Sequence, residues 1–177
     1  MNEREKEEII DQEDIAYLME YGSSLFASNK YKETIDFHEE LLKSKKIKKI
    51  NFQQDAEIHY RLAYSYIKLD DPEKCLEIAE EYLQEPLIIE QSHFKTLFIQ
   101  MKAKALAKMK KFVEVAILLD RALIETPQNI ILWIELGDIQ QSQQNYQMAI
   151  ECYEKALEIN PNFTHLKEII DYLKNGI

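Results

Sequence analysis

The side chains able to carry chemistry are four histidines, two cysteines and several paired carboxylates. A metal site needs His, Cys, Asp or Glu at spacings that converge on one ion. His38, His59, His93 and His165 stand in no such pattern with a cysteine or a carboxylate. Cys75 and Cys152 lie far apart with no CxxC spacing, which implies neither a disulfide framework nor a zinc site and fits a reducing compartment. General acid–base work needs two carboxylates converging in one pocket. Neighbours such as Glu39-Glu40 and Glu80-Glu81 instead suit solvated helix faces. The sequence holds no GxGxxG, GxxxxGK[ST], HExxH or GxSxG element. These absences point away from an enzyme, and no metal or cofactor is expected.

The elements that hold these residues must be helices. In 177 residues there are 3 glycines and 4 prolines, too few turn formers for a many-turned β fold. Hydrophobic residues make up 46%, enough for a sizeable core. The net charge of −10 repels phosphate backbones, so nucleic acid is not an expected partner. The opening stretch, "MNEREKEEIIDQED", lacks the basic and apolar regions of a signal peptide and the arginine bias of a transit peptide. No apolar run approaches the roughly 18 residues needed to span a bilayer. The expectation is a soluble, cytoplasmic or otherwise intracellular protein.

An internal repeat organises the chain. Pro127 and Pro161 are 34 residues apart, as are Ala122 and Ala156, Leu119 and Tyr153, Phe112 and Tyr146, and Ala103 and Gly137. "FVEVAILLDRALIETP" aligns with "YQMAIECYEKALEINP" without a gap. Two earlier segments carry the plan more loosely and place Gly22 and Ala63 where the last places Gly137. Repeats then start near Ile15, Ala56, Thr96 and Ile130, at spacings of 41, 40 and 34. Apolar residues recur at three- and four-residue steps. Breaks such as "SNK", "DDP", "KMKK" and "QQN" split each repeat into two helices. The pattern predicts helices near 12–28, 31–44, 54–69, 72–84, 91–108, 111–125, 130–143 and 146–159. A ninth follows Pro161, with Phe163, Leu166, Ile169, Ile170 and Leu173 on one face and Asn175-Gly176 as its stop. A mid-helix glycine costs roughly 1 kcal/mol. Gly137 is expected to offset this by letting two helices approach closely, with Ala149 and Ala156 leaving room and Trp133, Leu136 and Tyr153 filling the space around it. His38 falls at an aromatic core position and His59 at the position of Trp133, so both are expected to be packing residues.

The series Trp133, Leu136, Gly137, Tyr146, Ala149, Tyr153, Ala156 and Pro161 resembles a tetratricopeptide repeat, with Gln140 where an aromatic is usual. The resemblance covers residues 15–161. It implies an all-α fold, an α-solenoid of about four helix-turn-helix repeats. Residues 162–177 would form a C-terminal capping helix, and residues 1–14 an acidic tail or helix start. It further implies that the first helix of every repeat lines a concave groove that takes a helix or extended segment of another protein. Carried over position by position, the groove comprises Met19, Ser23 and Phe26, then Tyr60, Tyr64 and Ile67, then Leu97, Gln100 and Lys104, then Ile131, Ile134 and Asp138. The basic clamp by which some such domains bind acidic chaperone tails is not matched: its positions hold Met19, Ser23, Arg61, Leu97 and Met101, with only Arg61 basic. An apolar groove suits an amphipathic helix or extended hydrophobic segment.

The function this implies is a non-enzymatic adaptor, or a scaffold subunit of a larger assembly. "YGSSLFASNKYKETIDFHEELL" and the 40-residue spacings resemble repeat subunits of the anaphase-promoting complex or of ciliary and organellar assemblies. Size, acidity and groove also resemble the small repeat chaperones of type III secretion, which hold a hydrophobic partner chain. Finally, "LLKSKKIKKINF" holds five lysines between Lys43 and Lys49, either a docking patch for an acidic surface or a solvated loop complementing a helix C-terminus.

Overall fold

A computed structural model of the chain describes residues 12–44, 50–89 and 92–175. The expectations for most of the acidic tail, for the lysine run from Lys45 onward and for Gly176 lie outside the described residues. Among the described residues the regular structure is helical: α1 (Gln12–Ala27), α2 (Tyr31–Lys43), α3 (Phe52–Lys68), α4 (Pro72–Gln84), a 3-10 turn (Pro86–Ile89), α5 (Ser92–Lys108), α6 (Phe112–Glu125), α7 (Ile130–Ser142), α8 (Tyr146–Ile159) and α9 (Thr164–Asn175).

One turn geometry closes all four helix hairpins. Asn29, Asp70, Lys110 and Gln144 each adopt positive φ, between 57° and 65°. In each turn the following amide reaches back five residues: Lys30 to Leu25 O, Asp71 to Tyr66 O, Lys111 to Leu106 O and Asn145 to Gln140 O, at 2.9–3.1 Å. The positive-φ residue's own amide reaches back three residues. This double hydrogen bond is the Schellman end of a helix, which satisfies orphan carbonyls. The four turn residues recur at spacings of 41, 40 and 34, in phase with the sequence repeat. Side chains cap the starts of α3, α4 and α7. Asn51 and Gln54 form a reciprocal capping box, which begins α3 two residues before the expected Gln54. Asp71 accepts from the Lys74 amide with Pro72 at the first helical position of α4.

The chain divides into two compact units, Met1–Met101 and Lys102–Ile177. In the first, α1 packs on α2 and on α3, and α3 packs on α4. Its interior includes Leu25, Ile35, His38, Ile58, Leu62, Ala63, Cys75, Ala79, Tyr82 and Phe98. In the second, α6 meets α7, α7 packs on α8, and α9 covers α8. Ala149, Ile150, Tyr153 and Ala156 of α8 form one core with Leu166, Ile170 and Leu173 of α9.

The glycines answer to packing. A Cβ on Gly137 would stand 2.5 Å from Tyr153 Cε1, and one on Gly22 would stand 2.6 Å from His38 Nε2. The two pairs are equivalent, each 16 residues apart, with a ring pressed on a bare Cα. At the same register the middle repeats place Ala63 with Ala79 and Ala103 with Leu119, all fully buried. Glycine occurs where the facing residue is a ring, and alanine where it is aliphatic.

Candidate functional site

In the first unit four rings gather at one end of the α1–α2 hairpin. Phe26 comes from the last turn of α1, Tyr31 from the first residue of α2, and Tyr60 and Tyr64 from successive turns of α3. Phe26 is the hub: its ring centroid lies 5.1 Å from Tyr64, and 6.4 Å from both Tyr31 and Tyr60. Tyr64 lies 6.1 Å from each of the other tyrosines. All five contacts are tilted or edge-on rather than face-to-face, as aromatic pairs prefer. The Schellman turn at Asn29 delivers Tyr31 to the group, and the Tyr31 hydroxyl donates to Asn29 Oδ1 at 2.5 Å. Lys68 Nζ sits 5.2 Å from the Tyr64 centroid, one helical turn on. All four residues are half-buried. Burial raises the Tyr60 phenol pKa above its usual value, and Tyr64 adds to this, which keeps Tyr60 neutral and a hydrogen-bond donor.

The other expected groove residues fall in several environments. Met19, Ser23 and Phe26 share a face of α1 and are half-buried. Ile67 shares the stripe of Tyr60 and Tyr64, yet it is only 5% exposed and belongs to the core. Leu97 and Gln100 are half-buried on α5. Tyr31, which is not among the expected groove positions, belongs to the ring cluster. The signal for it was the aromatic that opens the second helix of three repeats, Tyr31, Phe112 and Tyr146.

In the second unit Ile131 is exposed, and Ile134 packs against the α8–α9 core. Two polar residues of this face are already engaged. Lys104 pairs with Glu135, whose side chain is only 5% exposed. Asp138 accepts from the Tyr153 hydroxyl at 2.8 Å, and Gln141 Oε1 lies at the same distance from that hydroxyl. Burial, then the Asp138 bond, pushes the Tyr153 phenol up. Gln140, standing where an aromatic is usual, is buried and accepts from Asn145 Nδ2 at 2.9 Å.

Arg61, the one basic residue at the clamp positions, is spent internally. It is buried, donates to Glu57 Oε1 at 2.5 Å and points Nη1 at Met19 O, 3.4 Å away. His38 donates from Nδ1 to Thr34 O at 2.7 Å and is fully buried. His59 lies under Tyr82, ring centroids 4.7 Å apart, and the Tyr82 hydroxyl donates to Asp55. Among the described residues no three His, Cys, Asp or Glu side chains gather as metal ligands, and no helix is long and apolar enough to cross a membrane. Burial raises the Cys152 thiol to about 11, which leaves it protonated at neutral pH.

Comparison with known proteins bears on the repeat directly. Two tetratricopeptide-repeat models match, one over residues 130–163 and one over residues 56–85. No curated protein matches the sequence. Among solved structures, a crystal structure of MamA protein aligns with a TM-score of 0.60 at 17% identity, covering 92% of this chain and 81% of that chain. A second crystal structure of MamA gives 0.59 at 17% identity over 88% and 83%. MamA MSR-1 gives 0.55 at 18% over 90% and 84%. At such identity the likeness carries the fold alone, an all-α solenoid. The two matched repeats, the hairpin turns in phase with the sequence period and the glycine–ring pairs lead to one conclusion: the chain carries tetratricopeptide repeats, matched at residues 56–85 and 130–163.

Proposed function

We propose that the chain is a non-enzymatic adaptor or scaffold subunit that binds a segment of another protein on the apolar face of its first helices. Tetratricopeptide repeats are protein-interaction modules, which supports the general role. The observation that carries the finer reading is the half-buried ring cluster of Phe26, Tyr31, Tyr60 and Tyr64. These rings hold one another in tilted and edge-on contacts while staying part-exposed, an arrangement that gives a partner rigid contact area at little entropic cost. A partner with apolar side chains at helical or extended spacing fits this face better than an acidic tail does, because Arg61 is neutralised inside the fold. An intracellular setting agrees with two free, buried cysteines.

The test is affinity capture from native extract with the full chain and with a Tyr60→Asp/Tyr64→Asp variant whose helicity is verified by circular dichroism. A partner retained by the wild type and lost by the variant supports the reading. Equal recovery with both moves the interface off this face and overturns it.

A further inference from the structure

The second unit carries an apolar stripe that the groove reading does not use. On α6, Val113, Ile117 and Ile124 are 75%, 58% and 82% exposed. The opposite side of the helix, with Val115, Leu119, Ala122 and Leu123, is buried. Scattered exposed hydrophobics are ordinary. These three are not scattered: with Asp120 they follow steps of four, three and four residues. That spacing keeps them in one narrow row about 16 Å long, the spacing of a coiled-coil seam. Glu114 and Arg121, seven residues apart, flank the row on one side and are exposed. Glu114 makes only a loose pair with Lys111, at 3.7 Å.

The row matches itself. Laid antiparallel on a second copy with the crossing centred between Leu118 and Leu119, Val113 meets Ile124 of the copy and Ile117 meets its Asp120. Each contact occurs twice, as twofold symmetry requires. The same crossing brings Arg121 beside Glu114 of the copy, again twice. A parallel pairing would instead set Asp120 against Asp120 in the middle of the seam, two carboxylates facing each other out of water. We infer that α6 is a self-association surface through which two copies of this chain pair antiparallel. The charge pattern selects a second copy over an arbitrary amphipathic helix, because the Glu114–Arg121 flank is complementary to its own inverse. Asp120 within the seam keeps the pairing reversible.

Sedimentation equilibrium of the full chain over a concentration series tests this. The wild type is expected to show a monomer–dimer equilibrium. Ile117→Glu, at an exposed position, is expected to leave the helical spectrum unchanged and to abolish the dimer. Arg121→Glu and Glu114→Arg each set like charges together twice and are expected to weaken the dimer at least about tenfold. The double variant Glu114→Arg/Arg121→Glu restores opposite charges and is expected to recover wild-type affinity to within about threefold. A wild type that stays monomeric up to about millimolar concentration overturns the proposal. So does a dimer indifferent to Ile117→Glu, or a double variant as weak as the singles. None of these outcomes depends on the Tyr60/Tyr64 face.

Discussion

His38 shows how one side chain can be legible in type and unexpected in consequence. Its sequence position called for an aromatic, and a ring is what packs on Gly22. The imidazole brings a cost a phenyl ring lacks. Nδ1–H is bonded to Thr34 O, and Nε2 is buried with no partner. Burial, followed by repulsion from Arg61 and His59, lowers its pKa from 6.5 to about 4, only partly opposed by the Thr34 bond. The folded state therefore binds the proton more weakly than the unfolded chain does. The stability tied to the neutral ring is intact above pH 6.5 and is lost as pH falls toward 4. Urea unfolding of the wild type and of His38→Phe at pH 7 and pH 4.5 is expected to shift in the variant's favour by about 2–3 kcal/mol at the lower pH. An unchanged difference between the two pH values would show that the ring is not buried neutral. Other carboxylates titrate over the same range, but they do so in both proteins and cancel in the comparison.

The elements were the most legible part, because both ends of each hairpin are written locally. Breaks such as "DDP" and "QQN" mark the Schellman turns, and the apolar steps mark the faces between them. What local pattern missed follows from side chains reaching along or across the chain. Asn51 pulled the start of α3 earlier through its capping box. Ile67 lies on the stripe of Tyr60 and Tyr64 but in the core, since periodicity fixes direction and a neighbouring helix fixes depth. Lys104 and Asp138 read as open groove charges, whereas pairing with Glu135 and Tyr153 engages them. Two predictions belong here. Lys110 holds a left-handed conformation that costs a branched or long residue about 1 kcal/mol, so Lys110→Gly is expected to stabilise the chain by about 0.5 kcal/mol after the added unfolded-state entropy. A thermal melt that falls would contradict the strain. Gly137→Ala places a methyl 2.5 Å from the Tyr153 ring and is expected to cost about 1–3 kcal/mol despite its better helix propensity. In a Tyr153→Leu background, which copies the Ala103–Leu119 pair, the same change is expected to be neutral or stabilising. The coupling from that four-variant cycle should exceed about 1 kcal/mol; additivity would mean the glycine serves another purpose.

At the scale of the molecule, the apolar face of α8 is covered by α9. Its buried side is Leu166, Ile170 and Leu173; its outer side presents Lys167, Glu168, Asp171 and Lys174. A repeat's ordinary first helix would need apolar residues on both sides to receive a neighbour, whereas α9 buries one side and exposes mostly charged residues, with Tyr172 among them, on the other; we propose that it acts as a cap. Lys174 Nζ reaches Glu154 on α8 at 2.8 Å, an exposed pair that fixes register more than it adds stability. The cap's contribution should therefore reside in its apolar row. Leu166→Ala is expected to destabilise the second unit by about 2–4 kcal/mol, and Lys167→Ala, one residue on but facing water, by less than about 0.5 kcal/mol. Hydrogen exchange followed along α8 checks this directly. Faster exchange at Ala149–Ala156 in Leu166→Ala, against unchanged exchange in Lys167→Ala, is the pattern a cap requires. Equal protection in both would make α9 an appendage that the α8 core does not depend on.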